Sequence, residues 1–109
     1  MNETSRKNGI KFLVAVIPTK EMVFSDDLER DSKFPRRDVV DRLLASERLA
    51  RERTFAFFTD SDISYVDTLP ALKQARTNQL YTRNVGDMHP GRNGYRVIAE
   101  AVATTLKPR

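Results

Sequence analysis

The run Ile10 to Ile17, IKFLVAVI, constrains this chain more than any other feature. It is almost continuously apolar, rich in β-branched residues and closed by Pro18, and it is too short for a buried helix. Such a run reads as a strand covered on both faces, which occurs where helices flank a parallel sheet. An α/β architecture is therefore expected. Pro18-Thr19-Lys20-Glu21 then turns the chain, and the polar stretch from Ser25 to Arg37, broken at Phe34-Pro35, reads as a mobile surface loop.

From Asp38 to about Thr59 the spacing becomes helical. Val40, Leu43, Leu44, Phe55 and Phe58 can share one face, while Glu47/Arg51 and Arg48/Glu52 stand four apart and are expected to form solvated ion pairs. Thr59-Asp60-Ser61-Asp62 is a polar break, and Ile63 to Asp67 reads as a second strand. With a helix joining them, the two strands should be parallel neighbours. Leu69 to Asn78 is expected to form a helix with Pro70 in its first turn, where a missing N–H costs nothing. Gln79 to Tyr81 reads as a third short strand. Asn93-Gly94-Tyr95 opens a last helix, whose Tyr95, Ile98, Ala99, Val102 and Leu106 follow helical spacing.

Composition sets outer limits on function. With 109 residues the chain suffices for one domain and not for two. Nineteen basic against fifteen acidic side chains leave a net charge of +4, spread through mixed-charge segments, so no nucleic-acid partner is expected. The absence of cysteine removes disulfides, thiolate zinc sites and cysteine nucleophiles. No apolar run reaches the length of a membrane span, and the polar start Met1 to Lys7 lacks the apolar core of a signal peptide.

The chemistry gathers in Asp87-Met88-His89-Pro90, which holds the only histidine. An imidazole can accept and return a proton near neutrality, provided a neighbour fixes its tautomer. Asp87 can be that neighbour, since a carboxylate two residues away on an irregular loop reaches one ring nitrogen and leaves the other for a substrate. Metal binding by Asp87 and His89 alone is a poor alternative, for two ligands without a third make a weak site. No metal and no cofactor is expected.

The string DMHPGRNGYRVIAEAV closely resembles the last sequence block of the SGNH/GDSL-type hydrolases. Upstream, FLVAVIPTKEMVF, the charged helix, ISYVDTLPAL and QLY resemble the C-terminal half of the bacterial members related to alginate O-acetyltransferases. The likeness runs from about Gly9 to the end. It implies the C-terminal part of a flavodoxin-like three-layer α/β/α fold with parallel strands. It also implies that His89 is the general base and Asp87 its orienting acid in a Ser-His-Asp triad. Many family members have two residues between the Asp and the His, whereas here Met88 alone intervenes, a spacing nearer the acetyltransferase-like branch. The reaction implied is hydrolysis or transfer of an acyl group, acetyl above all, on a carbohydrate or small ester. The compartment implied is the periplasm or a membrane surface.

One part of that family's pattern is missing. Its nucleophile sits in a Gly-Asp-Ser block after a first strand, with oxyanion donors from two middle blocks, and nothing before Ile10 supplies them. Ser61 in Phe57-Phe58-Thr59-Asp60-Ser61 is a poor substitute, because the residues before it complete a helix and too little chain separates it from Asp87 for a crossover. Residues 1–109 are accordingly expected to be a single, incomplete domain that acts with the missing N-terminal half or a self-association partner. The alternative is a non-catalytic α/β interaction module or a degenerate hydrolase remnant, in which Asp87 and His89 only pin the loop before the last helix.

Overall fold

A computed structural model of the chain describes residues 2–9, 12–30, 37–81 and 89–106. In order, the elements are α1 (Asn2–Lys7), β1 (Val14–Val16), α2 (Lys20–Val23), α3 (Ser25–Arg30), α4 (Arg37–Asp60), β2 (Tyr65–Asp67), α5 (Leu69–Gln74) and α6 (Arg92–Leu106). Helix dominates, and β1 and β2 form a two-stranded parallel sheet. The expected neighbours thus pair as expected, with Val14 opposite Tyr65 and Val16 opposite Asp67. Val14 N donates to the Ser64 carbonyl at 3.0 Å. The Val16 carbonyl accepts both the amide of Thr68 at 3.2 Å and its hydroxyl at 2.8 Å. Thr68 is fully buried, so this doubled bond locks the far end of the pair where water cannot compete.

The strand is shorter and less covered than residues 10–17 suggest. Only three residues adopt it, Ala15 is exposed, and Ile17 keeps 49% of its surface in water. Among the described residues nothing pairs with the outer edge of β1, so a sequence suited to a central strand stands at an edge.

Helix α4 runs through the whole charged segment. It ends in a Schellman motif, since Asp62 is left-handed at φ 56° and the amides of Asp62 and Ile63 reach back to the Thr59 and Phe58 carbonyls. The helix face differs from the expected one. Leu44 is buried, but Leu43 points outward at 57% exposure. Phe55 and Phe58 do turn inward, with their rings 4.9 and 5.5 Å from that of Tyr65 on β2.

The ion pairs within α4 expected from spacing give way to links between elements. Arg51 pairs with Asp67 of β2, Arg48 pairs with Glu29 of α3, and Glu47 accepts from Thr19. A partner across a packed interface is held by the fold, whereas an i, i+4 pair on an exposed face gains only tenths of a kcal/mol. The loop expected over residues 25–37 is likewise corrected for its first part, which is α3. Asp26 and Asp27 occupy its first turn and Arg30 its last, as the helix dipole favours. Both aspartates also face α5 and the turn after it, through Lys73 at 3.5 Å and Arg76 at 3.1 Å. Residues 31–36 lie outside the described set.

The core is small. Val23, Leu72, Leu80, Tyr81 and Ile98 form it, with Phe24, Leu69, Ala75 and Val97 packed around them. It joins α2, α5 and α6 around the segment that leads to the histidine. On α6, Ile98 faces inward as its spacing suggests, while Tyr95 and Leu106 are exposed and Val97 contributes in their place. No helix among the described residues is long and apolar enough to cross a membrane.

Candidate functional site

The segment 79–81 is not the third strand its sequence suggests. Gln79 has φ 52°, which breaks the extended backbone, and Tyr81 makes only an isolated antiparallel bridge, to Pro90. Proline has no N–H to offer, so it cannot donate to Tyr81 across the bridge. What the segment does instead is anchor the start of α6. The amide of Gly91 donates to the Leu80 carbonyl at 2.7 Å, and Asn93 Nδ2 donates to the carbonyls of Asn78 at 2.8 Å and Gln79 at 3.4 Å. Gly94 packs so closely that a Cβ built on it would lie 2.5 Å from the Leu80 oxygen and 2.8 Å from Pro90 Cβ.

His89 precedes this fastened stretch by one residue and is exposed. Its side chain is therefore not part of the core. Asp87 and Met88 lie outside the described residues.

Around Tyr81 stand groups that the sequence did not single out as a site. Tyr81 keeps only 7% of its surface in water, its ring packs 6.1 Å from that of Phe24, and the Lys20 ammonium lies 5.4 Å from its centroid. Its hydroxyl is buried with no hydrogen-bond partner. Burial, reinforced by the negative charges of Glu21 and Glu47, pushes its pKa up from 10.0 to about 12. Thr19 Oγ1 caps α2 by accepting from the Met22 amide and donates in turn to Glu47 Oε1, while the Thr19 amide donates to Glu47 Oε2 at 3.2 Å. Thr19, Glu21, Leu43, Leu44 and Glu47 line a cavity of about 230 Å³ between α2 and α4.

Thr19, Lys20 and Glu21 follow directly from the C-terminal end of β1, where open α/β sheets receive ligands. That position was the available signal in the sequence, since the Pro18-Thr19-Lys20-Glu21 turn ends the most strand-like run. Glu47 carried no signal, because only the fold brings it there.

Ser61 stands elsewhere. It is the C-cap of α4, its amide bonded to the Phe57 carbonyl at 2.9 Å, and it precedes the N-terminal end of β2. Because the strands are parallel, that is the opposite end of the sheet from Thr19 and Tyr81. A wider open groove of about 600 Å³ lies between α5 and α6, lined by residues such as Ala71, Ala75, Ala101 and Thr104. It is larger, but it offers few groups that can move a proton. No protein-family model, curated protein or solved structure matches the chain.

Proposed function

We propose that this chain is the C-terminal portion of an SGNH-like ester hydrolase or O-acyltransferase, acting on acyl esters of a carbohydrate, and that it supplies the Asp-His part of a Ser-His-Asp triad. His89 takes the proton of a serine outside these residues, and Asp87 holds the imidazole in the productive tautomer and stabilises the imidazolium that forms. The acyl group passes to the serine as His89 gives that proton to the departing alcohol; His89 then takes a proton from the attacking water or sugar hydroxyl and returns it to the serine oxygen as the acyl–serine bond breaks.

The observation that carries this reading is the Asp87-Met88-His89 string leading into α6. It is supported by an exposed His89 fastened, through Pro90 and Gly91, to Leu80 and Tyr81 beside the C-terminal end of a parallel strand pair. A base presented to a substrate needs that combination of exposure and a fixed backbone.

Hydrolysis of p-nitrophenyl acetate tests it. The chain alone should be silent, because a base and its orienter without nucleophile and oxyanion donors lower the barrier little. A complete domain containing this chain should turn over the ester and lose about 10³-fold or more on His89→Ala. Turnover by the isolated chain that survives Ser61→Ala but not His89→Ala would show a different nucleophile within these residues, and an unaffected complete domain would refute the role of His89.

A further inference from the structure

Helix α3 is held in place by charge more than by packing. Of its six residues, SDDLER, only Leu28 has a large apolar side chain, and a helix this short does not persist without tertiary support. Three ion pairs reach it from other elements. Glu29 pairs with Arg48 of α4, Asp26 with Lys73 of α5 at 3.5 Å, and Asp27 with Arg76 just after α5 at 3.1 Å. The side chains of these pairs keep between 31% and 53% of their surface in water, so each pair is open to screening by dissolved ions.

Docking also carries a cost. Ser25, the first residue of α3, has no exposed surface, and its hydroxyl is buried without a hydrogen-bond partner. A hydroxyl shut away from water forfeits the bonds it makes when solvated. That loss is of the same order as the combined gain from a few exposed ion pairs, so the docked and released states of α3 lie close in free energy. A segment balanced in this way opens locally while the rest of the fold stays closed. Its opening reaches a neighbour of the histidine. The Leu28 amide donates to the carbonyl of Phe24, whose ring lies 6.1 Å from that of Tyr81, and Tyr81 is bridged to Pro90 beside His89.

We propose that α3 is an electrostatic latch, docked on α4 and α5 at low ionic strength and released as salt screens its three ion pairs, while the core around Leu72, Leu80 and Ile98 stays folded. Release lets Phe24 move against Tyr81 and so loosens the backbone that seats His89. That this movement regulates a catalytic base rests on the acyl-transfer reading, whereas the latch itself does not.

Native-state hydrogen exchange of the isotope-labelled chain tests the proposal, in sodium chloride from about 10 mM to about 1 M, over which the screening length falls from roughly 30 Å to roughly 3 Å. The Leu28 amide, bonded to the Phe24 carbonyl at 2.9 Å, reports α3, and the Leu72 amide, bonded to the Thr68 carbonyl at 3.0 Å, reports the core. Salt should lower the protection of Leu28 about tenfold and leave that of Leu72 unchanged. Arg48→Gln combined with Arg76→Gln should exchange Leu28 at low salt about as fast as the native chain does at high salt. Ser25→Ala removes the partnerless hydroxyl and should raise the protection of Leu28 about fivefold or more. Parallel changes at Leu28 and Leu72, a Leu28 rate independent of salt, or lower Leu28 protection in Ser25→Ala would each overturn the latch. None of these outcomes bears on the ester assay of His89, so the two readings fall separately.

Discussion

Replacing Gly94 with alanine should destabilise the protein, although helix propensity alone argues for the reverse. Gly94 lies in the first turn of α6, where alanine gains about 0.5–1 kcal/mol over glycine by restricting the unfolded chain. Against this, the new Cβ would meet the Leu80 oxygen at 2.5 Å and Pro90 Cβ at 2.8 Å. Reaching ordinary contact with the oxygen, at 3.4 Å, requires a retreat of about 0.9 Å. The Leu80 oxygen cannot give way cheaply, because it is backbone and accepts the Gly91 amide at 2.7 Å. Overpacking of this kind costs about 1–3 kcal/mol, and a stretched backbone bond adds about 1 kcal/mol. The net loss is then about 1–3 kcal/mol, or a fall in Tm of roughly 4–12 °C for a chain of this size. Thermal unfolding by circular dichroism reads it, and the ring signals of His89 should move in the same variant because Pro90 is displaced. A rise in Tm would refute the close approach and, with it, the fastening of α6 to residues 78–81.

Two further outcomes concern charge. Arg51→Ala should cost about 2–3 kcal/mol in urea unfolding, because Arg51 and Asp67 are only 13% and 27% exposed at 2.5 Å and the carboxylate would be left uncompensated. Arg42→Ala, which breaks a pair with 80% and 73% exposed side chains, should cost less than about 0.5 kcal/mol; equal losses would contradict the burial difference. Tyr81 also makes stability pH-dependent at high pH. Its folded pKa is raised to about 12 from 10.0, so the unfolded chain releases the phenolic proton first. The stability present below pH 10 therefore falls as pH rises towards 12. Urea midpoints against pH should show this fall in the native chain and lack it in Tyr81→Phe, and parallel curves would contradict the buried phenol.

The elements with strong local signals were legible in the sequence. Residues 10–17 announced β1, the helical apolar spacing with charges four apart announced α4, and Pro70 marked the start of α5 within a residue or so of its place. Parallel pairing of β1 with β2 followed from the helix between them. What failed depended on tertiary partners. Residues 25–30 form α3 because Glu29, Asp26 and Asp27 find Arg48, Lys73 and Arg76, contacts that no window of local sequence contains. Segment 79–81 looked extended by composition, but the left-handed Gln79 turns it into an anchor for α6. The site divided in the same way. His89 stood out as the only imidazole beside an aspartate, whereas the cavity lined by Thr19, Glu21 and Glu47 assembles residues from two separate parts of the chain.

The proposed triad requires Asp87 to set the state of the His89 ring, and the ring itself reports on it. As the only histidine, its two nitrogens can be assigned without ambiguity in long-range nitrogen–proton correlation spectra above neutrality. The expected result is one dominant tautomer in the native chain, its proton on the nitrogen facing Asp87, and a redistribution between tautomers in Asp87→Asn. A native spectrum with freely mixed tautomers, unchanged by Asp87→Asn, would contradict the assignment of these two residues as base and orienter.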